Sequence, residues 1–173
     1  MATIDVTRSD GPEDLVADAA FKLGMRRLVA SVCLITAGAG TARVGLTATA
    51  VCSVSAEPPT LLCSINRSSA SYATIIRSEA FAVNVLTMHD LELANRFASR
   101  MPSEEKFLEG DWRQGRSPLL RSAIASFDCK VIHHVEASTH GILLGQVCAL
   151  DLQDESVSPL LYAHGRYGAF ADA

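Results

Sequence analysis

Residues 45–71, GLTATAVCSVSAEPPTLLCSINRSSAS, constrain this chain more than any other segment. They set out a small-residue strand, a Pro-Pro turn, an apolar strand and a hydroxyl-rich loop. Taken by two, the first segment puts Leu46, Ala48, Ala50, Cys52 and Val54 on one face and Thr47, Thr49, Val51, Ser53 and Ser55 on the other. One face can enter a core while the other offers hydroxyls. Gly45 removes even a Cβ at the strand entrance, so a flat ring could lie against the backbone. Pro58 and Pro59 break the pattern, and residues 61–65 form a second short strand.

The loop Asn66-Arg67-Ser68-Ser69-Ala70-Ser71 follows at once. Ser69 or Ser71 can cap a helix beginning near Tyr72, whose first N–H groups have no internal partner and favour an anion such as phosphate. Arg67 adds a fixed positive charge. Spacing alone favours a plain cap and a solvated arginine.

With 173 residues, 49% of them hydrophobic, the chain reads as one domain over 13–173 behind a loose polar tail at 1–12. A formal net charge of −4 with scattered Lys and Arg argues against nucleic-acid binding. The longest apolar run, 28–37, is too short to span a bilayer, and the acidic start lacks the basic region of a secretion signal. The cytoplasm is the expected location. Cys33, Cys52, Cys63, Cys129 and Cys148 contain no C-x-x-C pair, which disfavours a disulfide framework or a zinc site and predicts five reduced, buried thiols. No Ser-His-Asp order, H-E-x-x-H or G-x-S-x-G is present. Gly38 and Gly40 are followed by Arg43 where a dinucleotide loop needs glycine, which rejects a Rossmann site.

Periodicity predicts a helix over 13–28 and strands over 29–37, 43–54 and 60–65. A helix over 70–78 and a strand over 81–86 come next, then a helix from Thr87 or Asp90 to about Arg100. Residues 103–117 read as an excursion over the barrel, and strands follow at 125–134, 140–152 and 160–162. Six or seven strands with short connections point to an antiparallel Greek-key barrel.

The 45–71 run resembles the signature of the flavin reductase-like family, FMN-binding split barrels that include the NAD(P)H:flavin oxidoreductase components of two-component monooxygenases. The resemblance rests on Gly45-Leu46-Thr47-Ala48-Thr49-Ala50, Ser53-Val54-Ser55 and Glu57-Pro58-Pro59 in register. It continues through Asn66 to Ser71, Phe81-Ala82-Val83-Asn84, Lys106-Phe107, His140-Gly141, and Pro159-Leu160-Leu161-Tyr162 with Gly165-Arg166-Tyr167. It covers roughly residues 21 to 170.

The resemblance implies a mainly β split barrel with short helices, a homodimer, FMN (or FAD) as flavin and NADH or NADPH as co-substrate. The implied reaction is hydride transfer from nicotinamide to flavin, which requires two stacked rings and a held cofactor tail more than a strong base. Thr47, Ala48, Thr49 and Ala50 would lie beside the flavin ring, and Ser64, Asn66, Arg67, Ser68, Ser69 and Ser71 around its tail and phosphate. Asn84 needs a hydrogen-bond partner if buried, either the flavin or a neighbouring loop. Lys106 would meet phosphate and Phe107 cover the ring, against a solvated Lys and a core Phe. His140 would face the nicotinamide; here Ser138-Thr139 stand where the family has Gly-Asp, and a structural His is the competing reading. His164 is a further candidate, while His89, His133 and His134 read as surface or core. The reduced flavin would go to a partner monooxygenase; alternatives are reduction of a cobalt corrin intermediate of the cob(II)yrinic acid type, or a non-catalytic flavin-binding protein.

Overall fold

The computed structural model describes residues 16–154 and 157–170; the expected tail over 1–12 lies outside them. In chain order the elements begin with α1 (Asp18–Met25), β1 (Ala30–Ser31), β2 (Cys33–Ala37), β3 (Val44–Ala48), β4 (Val51–Ala56) and β5 (Pro59–Asn66). Next are α2 (Tyr72–Ser78), β6 (Ala80–Val85), α3 (Leu91–Ala98) and α4 (Ser103–Lys106). The chain continues with β7 (Trp112–Gln114), β8 (Pro118–Leu120), β9 (Ala125–Ala137), β10 (His140–Leu152), β11 (Leu161–Ala163) and β12 (Arg166–Gly168).

Seven strands pair antiparallel in the order β3-β2-β6-β9-β10-β5-β4. The expected single strand over 43–54 is therefore two. β3 and β4 follow one another in sequence yet occupy opposite edges of the sheet, and Thr49-Ala50 crosses the gap between them. This seam also reverses the side-chain phase, because Ala48 and Val51 both pack on the core. Alternation continued through Ala50 would have sent Val51 outward.

The core has two parts. Inside the curved sheet Ile35, Cys63, Phe81, Val83, Cys129 and Leu143 are buried together. Outside it, Leu34, Leu86, Ala94, Phe97, Phe107 and Leu120 form a second cluster beneath the excursion and α3. β2 is buried along its whole length because it serves both. The start of α3 follows the sequence: Asp90 accepts from Thr87 N at 2.9 Å and the Thr87 hydroxyl accepts from His89 N at 3.1 Å.

Two expectations are corrected. Cys33, Cys63 and Cys129 are buried, but Cys52 and Cys148 are exposed, on outward positions of β4 and β10. α1 is shorter than predicted and buries no residue, leaving Phe21, Leu23 and Met25 about half exposed. Among the described residues no helix is long and apolar enough to cross a membrane.

Candidate functional site

The loop after β5 is built by its own side chains. Asn66 Oδ1 accepts from the Ser68 N–H at 2.9 Å and from the Ser68 hydroxyl at 2.8 Å, folding the chain back on itself. Ser69 Oγ accepts from Ser71 N at 3.3 Å. Ser71 stands at the entrance of α2 without capping it; its hydroxyl donates to Gly45 O at 3.2 Å and ties the loop to β3. The expected cap at Ser71 is thus replaced by a cross-link to the neighbouring strand.

That cross-link closes one wall of a cavity of about 510 Å³. Its floor is Gly45, Leu46 and Thr47 of β3; the loop 68–71 forms one wall, and the end of α3, residues 99–103 and Lys106 form the other. Gly45 is required here, since a Cβ would stand 2.5 Å from Phe97 Cε1. The Thr47 hydroxyl donates to Ala94 O at 2.6 Å, which fixes α3 over the strand.

The cavity's charge is one-sided. Lys106 and Arg100 line it with the hydroxyls of Thr47, Ser68, Ser69, Ser71, Ser99 and Ser103, and no acidic residue does so among those described. Lys106 is 7% exposed and donates to Phe97 O at 3.1 Å. No ion pair between its ammonium and a carboxylate is found among the described residues, and burial pushes its pKa below the usual lysine value. An ammonium in such surroundings favours an anion. Sequence reading picked out Lys106 but not Arg100, Ser99 or Ser103, which no motif marks.

Thr49 and Ala50 are exposed at the seam. Thr49 lines a cavity of about 550 Å³ together with Ser31, Cys33, Thr60, Phe127 and Val147. Both residues line a second, of about 640 Å³, with Phe21, Met25, Leu28, Leu62 and Tyr162. Ala48 is half-buried against the core. Ser64 helps hold the seam: its N–H donates to Ala50 O at 3.0 Å.

His140 opens β10, opposite Asn66 of β5, with Nδ1 2.9 Å from Thr139 Oγ1. It is exposed and is not among the residues that line the cavity. His164 occupies the β11–β12 turn, exposed and at φ +54°, where its N–H donates to Arg26 O at 2.7 Å. His134, read as a bystander, is hydrogen-bonded through Nε2 to the Tyr72 hydroxyl, and the Tyr72 ring lies against Gly141, where a Cβ would collide with it.

Three expectations change. Asn84 is fully buried and its amide is spent inside the protein. Nδ2 donates to Leu34 O and Thr36 Oγ1, each at 3.2 Å, and Oδ1 accepts from Leu120 N at 2.8 Å and the Ser126 hydroxyl at 2.9 Å. Four bonds exhaust an amide, so strands β2, β8 and β9 supply its partners in place of either a flavin or a neighbouring loop. Phe107 is a core residue, 5% exposed, packed edge-on against Phe97 and Trp112 with centroids 5.1 and 4.8 Å away, and with Arg43 4.7 Å over its face. It is not available to cover a ring. Arg67 does not line the cavity; its guanidinium meets Glu136 at 2.7 Å and Ser138 O at 3.2 Å.

A seven-strand antiparallel barrel open along one seam, flanked by a small-residue strand and an anion-seeking cavity, defines a flavin-binding split barrel. Residues 25–171 match the flavin reductase like domain, and the chain belongs to that family. The FMN reductase (NADH) RutF 2 of Methylorubrum extorquens (strain PA1) is 39% identical over 163 residues, 92% of each chain. The FMN reductase (NADH) RutF of Stutzerimonas stutzeri (strain A1501) is 37% identical over 150 residues, 86% of each. Among solved structures, the NADH:FAD oxidoreductase SgcE6 of Streptomyces globisporus C-1027, in complex with NAD and FAD fragments, superposes with a TM-score of 0.83. It is 27% identical and covers 92% of this chain and 98% of its own. The split-barrel expectation and the family resemblance are both borne out.

Proposed function

We propose that this chain is an NADH-dependent FMN reductase that supplies reduced flavin to a partner monooxygenase. Lys106 carries the reading. A buried ammonium with one carbonyl partner, the Phe97 ring 5.9 Å away and, among the described residues, no carboxylate is costly, and a phosphate in the same cavity offsets that cost. The cavity suits an FMN tail, because Gly45, Ser68, Ser69, Ala70 and Ser71 keep its walls short and hydroxylated.

When bound, the flavin supplies the acceptor for a hydride from reduced nicotinamide. Lys106 and Arg100 neutralise the phosphate, while Thr47, Ser68, Ser69 and Ser71 hydrogen-bond the tail. Asn66 keeps the loop in shape. Ala48, Thr49 and Ala50 offer small side chains and backbone beside the ring, with Ser64 holding that segment in place. His140 positions the nicotinamide.

A second copy of the chain completes the molecule. Phe21, Leu23, Met25, Leu28 and Val29 are between 48% and 64% exposed around the seam, an apolar surface that dimerisation would cover. The RutF proteins named above favour flavin release over a corrin acceptor, and NADH over NADPH.

The test is anaerobic mixing of the protein with FMN and a stoichiometric amount of NADH. Bleaching of the flavin's visible absorption, repeated over many turnovers of added FMN, is expected. An unchanged spectrum would leave a flavin-binding protein only, and turnover confined to an added cob(II)yrinic acid derivative would move the chain to the corrin branch.

A further inference from the structure

Residues 132–140, the far half of β9 and the turn into β10, are all exposed, and the turn that presents His140 is held by the β9–β10 ladder, by the Tyr72–His134 contact and by ties from the loop after β5. The register ends at His140 opposite Asn66, and from the next residue onward Arg67 takes over. Its backbone N–H donates to Thr139 O at 2.9 Å, one guanidinium nitrogen donates to Ser138 O at 3.2 Å, and the other meets Glu136 Oε2 at 2.7 Å. Ser138 sits at φ +53°, a left-handed conformation that a serine holds only under constraint. Arg67 contacts the residues on both sides of that strained position.

We infer that Arg67 is a positioning residue: with Glu136 it latches the turn carrying His140 to the loop that flanks the flavin cavity. The inference rests on the flavin-reductase reading proposed above. The forked guanidinium is what the geometry uses, because it reaches a carbonyl and a carboxylate at once, and a lysine ammonium would serve the pair less well. Both side chains of the ion pair are partly exposed, 41% and 50%, so the latch weakens as salt rises. The flavin loop and the nicotinamide-facing turn then move as one body, although the anion itself is taken by the cavity that residues 68–71 line and Arg67 does not.

The test compares Arg67→Met, Arg67→Lys, Glu136→Gln and the double variant Arg67→Met/Glu136→Gln with the parent. Three quantities are measured: amide hydrogen exchange of residues 137–140 in flavin-free protein, dissociation constants for FMN and riboflavin, and the anaerobic single-turnover rate with NADH. Both single variants are expected to speed exchange at the turn and slow flavin reduction three- to tenfold. The double variant should be no slower than the worse single, as for two halves of one contact. Arg67→Lys should fall between parent and Arg67→Met, and the preference for FMN over riboflavin should stay within twofold throughout. If Arg67→Met abolishes that preference while Glu136→Gln behaves as the parent, Arg67 is a phosphate ligand and the latch is wrong. Parental exchange in both single variants would overturn it equally. Should the parent itself fail to reduce flavin, the reductase reading falls, and the exchange measurement still decides the latch.

Discussion

The ammonium of Lys106 donates to the carbonyl oxygen of Phe97 at 3.1 Å, and no acidic residue shares its cavity among those described. This contact joins the last turn of α3 to α4. It leaves two of the lysine's three donors for the cavity, and the cost of burying the charge lowers its pKa below the ordinary 10.5.

The lowered pKa has a pH signature. A phosphate needs the protonated lysine, so the preference for FMN over riboflavin should hold at neutral pH and be lost as pH rises through the depressed pKa, below 10.5. Stability has the same direction of cause: in the apo protein the folded state loses its proton more readily than the unfolded chain, so this residue's contribution to stability rises with pH across that window. Titrating FMN and riboflavin against pH checks the first statement. A preference that persists well above 10.5 would mean that Lys106 does not hold the phosphate.

Asn84 should matter for stability and not for flavin. Asn84→Leu leaves the Leu120 N–H without an acceptor and the Ser126 hydroxyl with only its longer bond to Leu120 O at 3.3 Å, in a buried network, a loss of about 2–4 kcal/mol. Urea denaturation measures the loss. Folded Asn84→Leu protein is expected to keep the parental FMN dissociation constant, and a selective fall in FMN affinity would return Asn84 to the site.

Gly45→Ala drives a methyl into the Phe97 ring. The expected cost is about 1–3 kcal/mol in thermal or urea unfolding, in line with overpacking of a tight contact. Because Phe97 carries the carbonyl that holds Lys106, FMN affinity should fall as well. Adding Phe97→Leu should restore part of the stability, and failure of that rescue would show that the clash lies elsewhere.

The exposed apolar side chains of α1 and its following segment predict a dimer. Light scattering at micromolar concentration should give twice the 18.4 kDa chain mass, and Phe21→Glu with Leu23→Glu should shift it toward monomer. A parent that is monomeric and fully active would contradict the second copy's role.

Much of this was legible in the chain, for identifiable reasons. Pro58-Pro59, the Thr87–Asp90 cap and the hydroxyl-rich loop are local signals, and local signals survive folding. The seam was not legible, since alternation through Ala48, Ala50 and Cys52 continues unbroken in the sequence, whereas the chain leaves one sheet edge at Thr49 and joins the other at Val51. The charge of Arg67 could be read but its partner could not, because Glu136 arrives through the register of β9 on β10 and β10 on β5. Asn84 stood out as polar in an apolar strand. Its four partners come from three separate segments that only the fold assembles.

That Lys106 receives the flavin phosphate is tested most directly by titrating FMN and riboflavin into the parent and into Lys106→Met. The parent should bind FMN more tightly than riboflavin. Lys106→Met should lose about ten- to a hundredfold in FMN affinity, the range of a charge-assisted hydrogen bond worth about 1.5–3 kcal/mol, with riboflavin unchanged. Equal losses for the two ligands, or no loss for either, would contradict it and place the phosphate outside this cavity.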